Sequence, residues 1–110
     1  MKTFLASLLL VVLSNLSYAD DFAETLKLAE QGNSFSQWLM GWKYEFGEGV
    51  PENDKTAVMW YTKAAKQGYA MAQFNLGVKY DSGEGVPEND KTAVMWYTKA
   101  AEQGHARAQT

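Results

Sequence analysis

The feature that most constrains this chain is an internal repeat with an offset of 36 residues. Gly47–Gly68 and Gly83–Gly104 are identical at 21 of 22 positions, and the exception is Lys66, which glutamate replaces in the second copy. The similarity extends backwards more loosely, with 4 identical positions of 14 between residues 33–46 and 69–82. A fixed period of this length is typical of solenoids, in which each unit buries its apolar face against its neighbours.

Each copy has the residues expected of a loop followed by a helix. Gly83–Pro87 is predicted to be a loop, because its glycines can adopt positive φ and its proline blocks helix continuation. Asn89 is a good N-cap for a helix beginning at Asp90, and Gly104 fits the residue just past its end. The helix carries an apolar stripe at three- and four-residue spacing: Ala93, Trp96, Tyr97, Ala100 and Ala101.

A partner helix is predicted at about Ala70–Asp81, with Ala72 and Leu76 on one face. Gly77 lies inside this helix, where glycine costs roughly 1 kcal/mol relative to alanine. Because Gly41 repeats it one period earlier, we expect two helix backbones to approach closely there. No segment shows the strict alternation of a half-buried strand, so the sequence predicts an all-α solenoid of helix hairpins.

The repeat also gives a domain plan. We expect a signal peptide at 1–19, a partial repeat with an opening helix at 20–32, full repeats at 33–68 and 69–104, and the start of a truncated repeat at 105–110. About three repeats are normally needed for a stable stack. We therefore expect an apolar surface on the last helix that a following helix would cover, and with it self-association through this end, a borrowed partner or marginal stability.

These motifs resemble the Sel-one-like repeat family, a subclass of the tetratricopeptide-like solenoids. Its pattern joins A-x-x-x-L-G-x-x-Y-x-x-G-x-G-V-P to a capped helix with W-Y-x-K-A-A-x-Q-G. The second copy meets the pattern at Ala72, Leu76, Gly77, Tyr80, Gly83, Gly85, Val86, Pro87, Trp96, Tyr97, Lys99, Ala100, Ala101, Gln103 and Gly104. The first copy departs from it at Ser36 and Met40. The resemblance implies a right-handed α/α solenoid that acts as a scaffold or adaptor for protein complexes.

The same resemblance supplies an alternative function. Some exported, cysteine-rich members of the family have been linked to β-lactam binding or hydrolysis. This chain has no cysteine, so we do not expect that activity to carry over well. An exported protein that binds or hydrolyses cell-wall material or β-lactams, by family analogy alone, stays the alternative to a non-enzymatic scaffold.

A candidate binding surface comes from the differences between the two copies. The second helices are almost invariant, whereas the first helices differ at 10 of 14 positions. Large apolar residues vary along one face of the first helices, and the resemblance places that face on the concave side of the solenoid. We expect a groove formed by Phe35, Trp38, Trp42, Met71, Phe74 and Val78, rimmed by Lys43, Glu45, Lys79 and Asp81. Aromatic side chains at helical spacing are more often core residues, so packing is the competing interpretation of these positions.

The first 19 residues have the three parts of a secretory signal peptide. Lys2 supplies positive charge, Phe4–Leu13 is an apolar run of ten, and Ser17–Ala19 is a small-x-small site. Ten apolar residues are far short of the roughly 20 needed to span a bilayer. We therefore expect cleavage between Ala19 and Asp20, a periplasmic or secreted product and no stable membrane span afterwards.

Composition excludes several classes of chemistry. The absence of cysteine rules out thiol nucleophiles and Cys-based zinc sites, and a single histidine, His105, leaves no cluster for a metal. Ten basic residues against 13 acidic ones give a net charge of −3, which disfavours nucleic-acid binding. No catalytic constellation is present, and no cofactor is expected. The sequence predicts a protein or peptide as the partner.

Overall fold

The computed structural model describes residues 21–109, with side chains described as far as residue 104. Within this range the chain forms five helices and no strand. They are α1 (residues 21–30), α2 (Ser34–Phe46), α3 (Asp54–Lys66), α4 (Ala70–Ser82) and α5 (Asp90–Gln109). The predicted all-α class is thereby confirmed. The predicted signal peptide and its cleavage site between Ala19 and Asp20 lie outside the described residues.

The helices pair in chain order. Helix α2 packs against α3, α4 packs against α5, and α3 and α4 join the two hairpins. The loop between the helices of each hairpin is stabilised by the caps that the sequence predicted. The side chains of Asn53 and Asn89 accept hydrogen bonds from the backbone N–H of Thr56 and Thr92, each at 3.0 Å. The two units are therefore built by the same local interactions.

One loop glycine joins the two units. Gly85 has φ 78°, and a Cβ atom there would lie 2.5 Å from the carbonyl oxygen of Asp54. The second loop thus packs directly on the first turn of α3, at a distance that only glycine permits.

The end of α5 differs from the prediction. Gly68 has φ 92° and follows the end of α3, after which the chain turns back into α4. Gly104 is its copy and was expected to end the last helix, but α5 continues through it to Gln109. Because the preceding residues are almost identical, the local sequence alone does not stop the helix. The turn at Gly68 forms where the following helix packs back on α3.

The core consists of two groups of buried side chains. One lies between the two hairpins and contains Tyr61 and Leu76, which are fully buried. The other joins α1 to the first hairpin and contains Ala29, Met40 and Trp60. Burial of such side chains, at roughly 1.5–3 kcal/mol for a large apolar one, is the main stabilising contribution in a stack without disulfides.

The helix-interior glycines make room for aromatic rings. A Cβ atom at Gly41 would lie 2.5 Å from Cδ1 of Tyr61, and one at Gly77 would lie 2.7 Å from Cδ1 of Tyr97. We expected close approach of two backbones at these glycines. The close neighbour is instead a tyrosine ring of the next helix. A close contact is present at each glycine, but it is between a helix backbone and a side chain.

A glutamine ladder runs through the stack and consists of Gln37, Gln67, Gln73 and Gln103. Gln73 Nε2 donates to the carbonyl oxygen of Ala65 at 3.1 Å, and Gln103 Nε2 donates to Gln73 Oε1 at 2.8 Å. One unit earlier, Gln37 bonds to Ala29 and accepts from Gln67 in the same way. The ladder satisfies carbonyl groups at helix ends and fixes the turn between successive units.

Candidate partner-binding groove

An open groove runs along α2 and α4 on the face where the two repeats differ. It has a volume of about 520 Å³. It is lined by Trp38, Trp42, Phe46, Ala70, Met71, Phe74, Asn75 and Ala100, and we call this surface the aromatic groove. Phe46, Met71 and Phe74 are each more than half exposed. The groove therefore presents large apolar side chains to solvent.

Trp38 is held in the aromatic groove by one hydrogen bond and two ring contacts. Its indole Nε1 donates to Oδ1 of Asn75 at 2.8 Å, which joins α2 to α4. Its ring lies 5.9 Å from that of Phe35 and 6.2 Å from that of Tyr69, measured between centroids. Because these contacts hold the indole from several sides, Trp38 contributes to both packing and the groove.

Trp42 and Phe46 form an aromatic pair in the groove, in which Phe46 is exposed and Trp42 is half-buried. Their ring centroids lie 5.5 Å apart on successive turns of α2. The corresponding positions of α4 are Val78 and Ser82. Since the second hairpin packs with these smaller residues, the fold does not require a pair of aromatic rings there.

The structure brings together four of the six apolar residues predicted for the groove: Trp38, Trp42, Met71 and Phe74. Phe35 is exposed but packs beside Trp38 and Tyr69, and Val78 is half-buried outside the groove lining. Phe46 also lines the groove and was not predicted. A continuation of the four-residue step from Trp38 through Trp42 would have found it.

The predicted rim is wrong for Lys79. Its side chain is 3% exposed and lies between the hairpins rather than at the groove edge. Its Nζ lies 2.7 Å from Glu45 Oε1, 3.5 Å from Asp54 Oδ1 and 3.7 Å from Glu84 Oε2. Tyr61 donates its hydroxyl proton to Glu45 Oε2 at 2.5 Å. We call these five residues the lysine cluster.

The lysine cluster shifts the pKa of two of its members. Burial alone would lower the pKa of Lys79, but the hydrogen bond and charge of Glu45, with the charges of Asp54 and Glu84, outweigh it and raise the pKa. Burial and the bond to Glu45 raise the pKa of Tyr61. The amine therefore stays charged and the phenol neutral at physiological pH, and the cluster acts as an inter-repeat link.

The other three predicted rim residues lie in different surroundings. Glu45 belongs to the lysine cluster, so it does not line the groove edge. Lys43 is mostly buried and pairs with Asp21 of α1 at 3.3 Å. Asp81 is exposed, and its charge adds to the burial of Tyr97 in raising the pKa of that phenol. The groove is thus flanked by fewer free charges than the sequence indicated.

The part of the chain that the structure describes has neither a cluster of metal-binding side chains nor a helix that could span a membrane. No group of three histidine, cysteine, aspartate or glutamate residues there is arranged to hold a metal ion. None of the helices described is both long enough and apolar enough to cross a bilayer.

Comparison of the sequence with known families identifies the repeat. The pattern of the Sel1 repeat matches twice, over residues 34–69 and 70–105. These two matches cover α2 to α5 as far as residue 105. No curated protein matches the chain in sequence.

Three solved structures share this architecture. The chain is 45% identical to c5321, a protective antigen of uropathogenic Escherichia coli strains with an SLR fold, over 73% of this chain and 17% of that one, with a TM-score of 0.72. It is 41% identical to a Sel1 repeat protein from Oxalobacter formigenes over 87% of this chain and 42% of that one, with a TM-score of 0.68.

The third is the cysteine-rich protein B (hcpB) of Helicobacter pylori. It is 30% identical over 76% of this chain and 62% of that one, with a TM-score of 0.73. The chain thus spans less than two thirds of the length of each of these three relatives.

Proposed function

The chain belongs to the Sel1 repeat family, and from this premise we propose that it is a non-enzymatic scaffold that binds a segment of a partner protein in the aromatic groove. Sel1-repeat proteins are generally protein-interaction scaffolds. The observation that carries the proposal is the Trp42–Phe46 pair, which is open to the groove and which the second hairpin packs without.

The groove favours a partner segment with large apolar anchors. Tryptophan is among the residues that dominate the binding energy of interfaces, and phenylalanine and methionine are enriched in interfaces. Met71 and Phe74 lie across the groove from Trp42, so an apolar side chain inserted between α2 and α4 would contact both helices. An amphipathic helix or an extended peptide supplies such anchors at regular spacing.

The test compares two purified variants as affinity baits in a periplasmic extract. Trp42→Ala removes a groove side chain, whereas Met59→Ala removes an exposed apolar side chain that does not line the groove. We expect a protein captured by wild type and by Met59→Ala to be lost with Trp42→Ala, while the melting temperature of Trp42→Ala stays near that of wild type. Equal capture by all three would reject the groove. A large drop in the melting temperature of Trp42→Ala would show that Trp42 is a packing residue.

Export is part of the proposal. A segment with the charge, apolar length and small-x-small site of residues 1–19 is typical of a secretory signal peptide. The protein would then act in a periplasm or outside the cell. Mass spectrometry of the protein from a periplasmic fraction should give an N-terminus at Asp20, and an intact Met1 in a cytoplasmic fraction would refute export.

The hydrolase alternative has a direct test. Purified protein is incubated with nitrocefin, and turnover above that of a heat-denatured control would favour an enzyme. We expect none, because neither thiol nor serine-base chemistry was found in the sequence.

A further inference from the structure

We propose that the outer face of α5 is a second interaction surface, which binds a partner helix with alanine, leucine and lysine at the spacing found in α4. We call this surface the end face, and it consists of Val94, Tyr97 and Ala101. These three residues do not line the aromatic groove, which lies along α2 and α4 and reaches Ala100 of α5.

Helices α3 and α5 have nearly the same sequence over the length of α3 but different surroundings. Both begin with the same residues, but α4 packs on α3, whereas no helix among the described residues packs on the corresponding face of α5. Val58 of α3 is 7% exposed, whereas its copy Val94 is 61% exposed. Ala65 is 1% exposed, whereas its copy Ala101 is exposed. Because the residues are the same, the difference reflects the area that α4 and the loop after it cover.

The side of the two helices that packs on the preceding helices is a control. Trp60 and its copy Trp96 are 6% and 8% exposed, and Ala57 and its copy Ala93 are equally buried. The exposure is therefore confined to the side on which α4 packs, and it is not a general loosening of α5.

Helix α4 defines what the end face would accept. Ala72 and Leu76 of α4 pack in one cluster with Val58 and Ala65 of α3. Lys79 follows Leu76 by three residues, so all three α4 residues lie on one helix face. A helix with alanine, leucine and lysine at positions i, i+4 and i+7 reproduces this face.

Lys79 of α4 indicates which charge a partner helix of the end face should carry. On the α3 side, Lys79 enters between Glu45 and Asp54, where the hydroxyl of Tyr61 already binds Glu45. Besides Glu84, which follows α4 itself, two carboxylates and one phenol of the first hairpin thus surround a single amine.

The same three groups recur at the end face without a lysine between them among the described residues. The copies of Glu45, Asp54 and Tyr61 are Asp81, Asp90 and Tyr97. Both aspartates are exposed, and Asp81 lies close enough to Tyr97 to add to the effect of burial on its pKa. The apolar end face is therefore bordered by negative charge that complements a lysine.

A depression that begins at the end face and shares Phe74 and Ala100 with the aromatic groove fits the start of the partner helix. It has a volume of about 550 Å³ and is lined by Phe74, Tyr97, Ala100 and Ala101. Phe74 is the copy of Trp38, on whose ring Tyr69 packs just before α4. An aromatic residue before the partner helix would pack on Phe74 in the same way.

The chain itself supplies the probe. A labelled synthetic peptide with the sequence of residues 69–84 is titrated with the purified full chain, and binding is followed by fluorescence anisotropy. We expect saturable binding, which Leu76→Glu in the peptide abolishes. Lys79→Gln in the peptide should weaken binding roughly tenfold, because two carboxylates lose their partner.

Matched variants of the protein locate the site. Val94→Glu should abolish binding. Met95→Glu should not abolish binding. Met95 and its copy Met59 are similarly exposed, at 43% and 45%, so the helix that packs on α3 does not cover this position. The double variant Asp81→Asn, Asp90→Asn should bind the wild-type peptide more weakly. Its binding of the Lys79→Gln peptide should change little. Trp42→Ala should leave binding intact, which separates the end face from the aromatic groove.

Three results would overturn the proposal. The first is no binding of the wild-type peptide at concentrations up to about 1 mM, where an interaction of only about 4 kcal/mol would still be seen. The second is binding that Val94→Glu leaves unchanged. The third is a dimer of the chain in sedimentation that Val94→Glu converts to monomer, since a second copy would then be the occupant. The failure of the aromatic groove as a binding site would affect none of these results.

Discussion

The ring of Tyr61 occupies the space that a side chain at position 41 would need. The distance of 2.5 Å from a Cβ atom at Gly41 to the ring is shorter than any ordinary carbon–carbon contact. Tyr61 itself is fully buried and bonded to Glu45, so it has little freedom to move. Residue 41 therefore decides how closely α2 and α3 pack.

Gly41→Ala should destabilise the protein despite improving helix propensity. Alanine gains about 1 kcal/mol in a helix interior, while overpacking costs about 1–3 kcal/mol, and the immobile ring favours the upper part of that range. Chemical denaturation should give a net loss of about 1–2 kcal/mol. Gly104→Ala is the matched control, because nothing lies within 4 Å of its Cβ position, and it should be neutral or stabilising. Equal stability of both variants would contradict this assignment.

Lys79→Met should cost far more stability than Lys43→Met, although the two lysines occupy the same position of the repeat. Removing Lys79 leaves Glu45 mostly buried without its cation, which costs on the order of 3 kcal/mol. Lys43 pairs with Asp21, whose side chain is largely exposed, and such pairs contribute at most about 1 kcal/mol. Thermal unfolding of both variants measures the difference, and similar losses would show that the lysine cluster contributes no more than a surface pair.

Stability should fall as the pH rises above about 10. The pKa values of both Tyr61 and Lys79 are raised in the folded protein above their ordinary values of 10.0 and 10.5. The folded state thus holds protons that the unfolded state loses, and stability declines by up to about 1.4 kcal/mol per pH unit for each group. Below pH 9 their contribution should be constant.

Tyr61→Phe tests this pH dependence. The variant loses its hydrogen bond to Glu45 and is less stable at neutral pH, but its stability should fall less steeply between pH 10 and 11. Denaturation at a series of pH values measures both slopes. Parallel curves for wild type and variant would show that Tyr61 does not titrate differently in the two states.

Gln73→Ala should destabilise the join between the two hairpins. It removes the donor to the Ala65 carbonyl and the acceptor for Gln103. Leaving a buried polar group unsatisfied costs about 1–3 kcal/mol. Gln31→Ala, at an exposed position outside the glutamine ladder, is expected to change stability by less than about 0.5 kcal/mol. A Gln73→Ala variant as stable as Gln31→Ala would mean that water replaces the amide.

The repeat predicted the helix hairpins, their N-caps and the family, but not the end of α5. Asn53 and Asn89 cap their helices as predicted, because an N-cap depends only on the few residues that follow it. Much of the aromatic groove was also predicted, because Trp38 and Trp42 share one face of any regular helix.

The rim of the groove was not predictable in this way. Lys79 was assigned to the surface because it is charged, yet its place three residues after Leu76 puts it on the packing face. Only the positions of Glu45 and Asp54 on two other elements show that a lysine can be buried there.

The sequence by itself determined the period, the helix-hairpin unit and the faces that vary, since each of these follows from local spacing. The tertiary structure alone decided how identical residues behave in different places. Val58 is covered and Val94 is open, and Gly68 ends a helix that Gly104 does not. Burial and helix termination depend on which neighbour packs against a residue, and two copies of the same sequence can have different neighbours.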